Sequence, residues 1–122
     1  MSIQNVTTYS ALVARLVGEL RRAHNFEQKE FAEALGVSAS TWSRAESGQV
    51  GLSLDQLAGA ARALGTTPTQ ILKDADAAAE HLRRRGVTVL VGKDAAKGDP
   101  TFAYLGAAAL GALVATILTK GK

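Results

Sequence analysis

The sequence predicts an all-α chain. Five short helices make one domain, a short β-prone segment follows, and a hydrophobic C-terminal helix ends the chain. Three observations lead there. Apolar residues make up 47% of the 122 residues and aromatics only 5%, so the apolar content is mostly Ala, Leu and Val, which favours helices over a β-sandwich. Through the N-terminal part, apolar positions recur at spacings of three and four, in runs punctuated by glycines and capping residues. Residues 102–119 then hold no charged side chain.

The first helix is expected over residues 10–24, where Tyr9, Leu12, Val13, Leu16, Val17 and Leu20 form an apolar stripe. The stretch 11–20 is interrupted by Arg15 and Glu19 and follows no basic region, so it does not read as a secretory leader. The second helix covers residues 28–35, with Phe31, Ala32 and Leu35 inward, and Gly36 ends it. Ser38 caps the third helix, which carries Trp42 and Ala45 on its inner face and stops at Gly48. Ser53 and Gln56 form a capping box for the fourth. Its expected inner stripe is Leu54, Leu57, Ala58, Ala61 and Leu64, and Gly65 terminates it. Thr67, Pro68 and Gln70 open the fifth helix, which can run through the Ala-rich stretch to Arg85.

Residues 86–101 change character. The β-branched run 87–91 between glycines reads as a strand that pairs with the same segment of a second subunit, or as an extended linker. Residues 93–100 read as a charged linker.

Composition excludes several classes of function. There is no cysteine, so no disulfide framework, thiolate metal site or cysteine nucleophile exists. His24 and His81 lie far apart in helical patterns, which argues against a zinc site. No phosphate-binding loop or nucleophile–base pair is visible, so neither an enzyme nor a cofactor is expected. Net charge is +3, yet residues 1–72 carry as many acidic as basic side chains. The basic excess lies in the C-terminal part.

Two short helices separated by Gly36-Val37-Ser38 form the core of a helix-turn-helix. Such a turn needs a residue that tolerates left-handed geometry, then an apolar residue, then an N-cap. The second helix then presents its outward side chains to the major groove of DNA. The sequence resembles the Cro and lambda-repressor family, also called the XRE family, over residues 10–72. The resemblance rests on Leu20-Arg21, Gln28-Lys29-Glu30-Phe31-Ala32, Leu35-Gly36-Val37-Ser38, Glu46-Ser47-Gly48 and Ala63-Leu64-Gly65, in order and at the family spacing.

The resemblance implies a five-helix lambda-repressor-like helix-turn-helix domain and a role for particular residues. Gln28 would bond a DNA phosphate. Ser38, Ala39, Ser40, Thr41 and Arg44 would form the groove-facing surface. Arg44 is the best base reader among them, because a guanidinium bonds guanine at two points. Arg21 and Glu46 would form a buried ion pair fixing the first helix against the end of the third. The plainer alternatives are solvated surface residues at Gln28 and Arg44, and a core role for Trp42.

Residues 102–119 are expected to form a membrane-spanning helix about 27 Å long, near the lower limit for crossing a bilayer. Ala103, Ala107, Gly111 and Ala115 recur every four residues, a ridge of small side chains suited to helix–helix contact. Phe102 and Tyr104 at one end and Lys120 and Lys122 at the other would be interfacial anchors. Arg83, Arg84, Arg85, Lys93 and Lys97 precede the segment, which places the N-terminal domain in the cytoplasm, attached to the inner membrane. The alternative is a helix buried in a soluble oligomer.

The sequence thus reads as a DNA-binding domain over residues 1–85, a linker over 86–101 and a hydrophobic helix over 102–119. The expected function is a dimeric, sequence-specific transcriptional regulator of double-stranded DNA, tethered to a membrane; a homodimer or higher homo-oligomer is expected. The rival is a membrane-anchored adaptor that binds protein instead. The neutral charge of residues 1–72 and the uncharged Gln49-Val50-Gly51 favour the rival. Gln28, Ser40, Thr41 and Arg44 favour the regulator.

Overall fold

The computed structural model describes residues 4–92, 102–104, 112, 114 and 115. The elements are β1 (Gln4–Thr8), α1 (Tyr9–Ala23), α2 (Gln28–Leu35), α3 (Ala39–Glu46), α4 (Leu54–Ala63), α5 (Pro68–Arg84), β2 (Thr88–Leu90) and β3 (Phe102–Tyr104).

Each helix begins where a side chain can satisfy its first free N–H groups. The hydroxyls of Thr8, Ser53 and Thr67 accept from the backbone N–H of Ala11, Gln56 and Gln70, at 3.0, 3.0 and 3.1 Å. Helix ends fall at residues with positive φ, where the chain must reverse: Asn25, Gly36, Gly48, Gly65 and Gly86.

α1 is the central helix. Leu12, Val13, Leu16 and Val17 are buried, and so are Ala14, Arg15 and Gly18 on its other sides. α5 packs along it, and α3 contacts it as well. The core joins these residues to Phe31, Trp42, Ile71 and Leu82. Phe31 stands between Phe26 and Trp42, with ring centroids 5.6 and 5.1 Å away. The Tyr9 hydroxyl donates to Asp76 Oδ1 at 2.7 Å, linking the start of α1 to α5. Burial and that hydrogen bond push the Tyr9 phenol up to about 12.

Four expectations need correction. First, the chain is not all-α. The three strands form a parallel sheet in the order β2-β1-β3. Val6 and Thr7 of the central strand are buried, so their backbone groups need the partners that the ladder supplies. Second, the strand expected at residues 87–91 exists over Thr88–Leu90, but its partner is β1 of the same chain, with Thr7 opposite Val89.

Third, the helix expected from residue 102 does not begin there. Phe102–Tyr104 pair with β1, and Ala103 lies opposite Asn5 in the sheet, not on a helical ridge. Ala112, Val114 and Ala115 are helical, and Val114 is fully buried in the core; Ala107 and Gly111 lie outside the described residues. Among the described residues no helix is long and apolar enough to cross a membrane. Fourth, the inner stripe of α4 is Leu57, Ala60, Ala61 and Leu64. Leu54, at the first helical position, is 82% exposed, and Ala58 is exposed too.

Candidate functional site

The turn between α2 and α3 is built as its residue types require. Gly36 has φ 74° and ψ 27°, a left-handed conformation that a Cβ disfavours. Nothing lies within 4 Å of a Cβ placed there, so backbone geometry alone, and not crowding, calls for glycine. The N–H of Val37 returns to the Ala32 carbonyl at 3.0 Å and closes α2. Val37 is half-buried against the core. Ser38 then caps α3, accepting from the Thr41 N–H at 3.1 Å. Its hydroxyl also donates to Thr41 Oγ1 at 2.8 Å and lies 3.2 Å from Ser40 Oγ.

Burial of Trp42 and Ala45 fixes which way α3 faces. Ser38, Ala39, Ser40, Ser43 and Arg44 are exposed, and Thr41 is half-exposed. The structure therefore gathers Ser38, Ala39, Ser40, Thr41 and Arg44 on one accessible side of α3. The Arg44 guanidinium makes no ion pair among the described residues. Ser43 belongs to the same surface and went unnoticed in the sequence, although it sits three residues after Ser40, one helical turn on.

Beneath this surface Glu46 ties three helices together. It is 2% exposed. Its Oε1 accepts from Arg21 Nε at 2.5 Å and from the Trp42 indole at 2.7 Å. Its Oε2 accepts from the Gln28 amide at 2.8 Å and from Arg21 Nη2 at 3.3 Å. Arg21 Nη1 also donates to the Phe26 carbonyl in the α1–α2 connection. Burial by itself raises the Glu46 carboxyl; the hydrogen bonds from Arg21 and Gln28, the Arg21 charge and the Trp42 bond outweigh it and hold the group below the usual carboxylate range. Gly18 leaves room for this carboxylate: a Cβ there would lie 3.3 Å from Glu46 Cδ.

Two of these partners were not legible as such. Trp42 reads as core in the sequence, but it stands four residues before Glu46 on one helix, which is contact distance for a side-chain hydrogen bond. Gln28 is half-buried at the start of α2 with one amide N–H on Glu46, so the carboxylate orients it. Glu27, just before it, donates its backbone N–H to Glu30 Oε1 at 3.1 Å. The described residues contain no cluster of His, Cys, Asp or Glu suited to a metal ion.

A family model described as a helix-turn-helix domain matches residues 12–72, from α1 into the start of α5. No curated protein matches the chain significantly. Among solved structures, the chain is similar to the clp gene regulator ClgR from Corynebacterium glutamicum. One structure of it is 28% identical with a TM-score of 0.53, covering 63% of this chain and 88% of that one. A second is 26% identical with a TM-score of 0.53, covering 57% and 90%. The family match spans half of the chain and contains the whole capped turn, α3 and the Glu46 cluster; the chain belongs to the helix-turn-helix domain family.

Proposed function

We propose that the protein is a transcriptional regulator that binds a specific site on double-stranded DNA through α3 and acts as a dimer. One observation carries the reading. The exposed side of α3 presents Arg44 without an ion-pair partner among the described residues, on a helix whose orientation is fixed by its cap and by Glu46. A guanidinium held this way can bond guanine O6 and N7 together. The likeness to a protein described as a gene regulator supports the same reading.

Within it the residues divide by task. Arg44 reads a base edge. Ser40 bonds a base edge or a phosphate, and Ala39 contacts a thymine methyl. Thr41 donates its hydroxyl to a phosphate, and Ser38, whose own hydroxyl proton goes to Thr41 Oγ1, orients it. Gln28 gives its second amide N–H to a phosphate while Glu46 holds the first. Residues 1–72 carry no net charge, so few counterions are released and non-specific affinity is modest. Two copies on adjacent half-sites raise affinity and specificity together.

Membrane tethering is not part of this reading. With Phe102–Tyr104 in the sheet, the uncharged stretch that remains is residues 105–119, and a helix of that length spans about 22 Å against ~30 Å of hydrocarbon. The protein-binding adaptor is favoured by the zero net charge of residues 1–72 and by the uncharged Gln49-Val50-Gly51 that follows α3.

The test is selection from a random duplex library by the full chain. Enrichment of one sequence, with a guanine whose replacement weakens binding, supports the regulator. Failure to enrich any sequence at low salt overturns it and favours the adaptor.

A further inference from the structure

Arg21 does not hold the Glu46 carboxylate as an even fork. Its Nε stands 2.5 Å from Oε1 and its Nη2 stands 3.3 Å from Oε2, while Nη1 turns away to the Phe26 carbonyl. That unevenness leaves Oε2 open to the Gln28 amide at 2.8 Å. The last torsion of a glutamate side chain is soft, so a further contact must hold the carboxylate at this tilt.

The Trp42 indole supplies that contact. Its N–H donates to Oε1 at 2.7 Å from one turn earlier on α3. The ring is fully buried and its centroid lies 5.1 Å from that of Phe31, so the donor cannot follow a moving acceptor. From α1, Gly18 bounds the carboxylate: a Cβ there would stand 3.3 Å from Glu46 Cδ. Without the indole N–H, Oε1 loses a donor and Arg21 draws both oxygens into an even fork. Oε2 then moves off the Gln28 amide.

We propose that Trp42 is a positioning residue for the contact with the DNA backbone: through Glu46 it sets the direction in which Gln28 offers its second amide N–H to a phosphate. This role deepens the DNA-binding reading and rests on it. Filling the core needs only the volume of the ring. The bond to Glu46 needs the indole N–H, and it puts a residue with no access to DNA in control of one that has it.

The test is a double-mutant cycle in the full chain, read as affinity for the duplex that the wild type selects. Trp42 is the chain's only tryptophan, so its indole can be replaced by benzothiophene, which keeps the ring's size and cannot donate. Trp42→Phe is the second variant. Each is expected to lose about fivefold in affinity, the worth of one ordinary hydrogen bond. In a Gln28→Ala chain the same replacements should cost nothing further. The loss should also vanish on a duplex whose contacted phosphate is an uncharged methylphosphonate. In the free chain, the Gln28 side-chain amide resonances should shift in both variants. A loss carried equally into the Gln28→Ala chain would make Trp42 a core residue only and overturn the proposal. Wild-type affinity in the benzothiophene chain, or in Gln28→Ala itself, would overturn it too. A chain that selects no duplex removes the regulator and this role together. A chain that selects one and loses affinity on Gln28→Ala, yet ignores the loss of the indole N–H, removes this role alone.

Discussion

Glu46 shows what one buried residue does here. Four hydrogen bonds from three side chains converge on its carboxylate, and they hold α1, α2 and α3 at one point. Glu46→Gln leaves the Arg21 charge buried without its counter-ion, which should cost about 3 kcal/mol of unfolding free energy in denaturant titration. The carboxyl titrates lower in the folded state than its ordinary value near 4.5. Its stabilisation is therefore complete above that range and fades as pH falls through the lower folded value. The gap between wild type and variant should narrow below about pH 4.5; a gap that widens there would contradict the pairing. Arg15 is the opposite case. Its side chain is 8% exposed, its contact with Glu19 is 3.9 Å, and its Nε has no hydrogen-bond partner. Burial, then the neighbouring Arg22, lowers its pKa. Arg15→Met removes a buried charge that a long contact to Glu19 compensates only in part and should raise stability by about 1 kcal/mol; a loss of that size would show that the guanidinium is satisfied. The resemblance could point to Arg21 and Glu46 because both are charged residues at family positions. It could not point to Arg15, whose burial depends on what covers the outer side of α1.

At the scale of elements, the helices and the strand at residues 87–91 were legible, whereas β1, β3 and the pairing between the strands were not. Gly36, Gly48 and Gly65 mark where helices stop, and Ser38, Ser53 and Thr67 mark where the next begin, because local backbone geometry needs those residue types. The strands are three to five residues long, too short for a period of two to stand out. Their partners also lie roughly eighty or more positions apart in the chain, and no local signal reports such a pairing. Even so, β-branched residues at Val6, Thr7 and Thr8 resemble the run at residues 87–91, and that likeness was the available clue. β1 is the central strand, and Thr7→Pro takes a backbone donor out of it at a buried position paired with Val89. It should cost more than about 2 kcal/mol in thermal or chemical unfolding. Val89→Pro in the edge strand should cost less. Equal, small effects would mean that the sheet contributes little to the fold.

For the whole molecule, the uncharged run near the end was misjudged at its start. An uncharged run of eighteen residues satisfies a hydropathy count whatever its backbone does, and three of those residues belong to the sheet. Val114, fully buried in the core, belongs to that same run. On α3 the cap, the turn and the buried Glu46 anchor together fix which side chains are presented outward. Arg44 is the outward side chain on which base reading rests, and its loss should not disturb folding by more than about 0.5 kcal/mol. The direct measurement is the affinity of the full chain and of Arg44→Ala for the duplex that the wild type selects, with both melting temperatures recorded. Unchanged melting is expected, with a loss of about 1–3 kcal/mol confined to sites that keep the guanine Arg44 reads. Equal affinity for that duplex, in a variant that melts with the wild type, would contradict it.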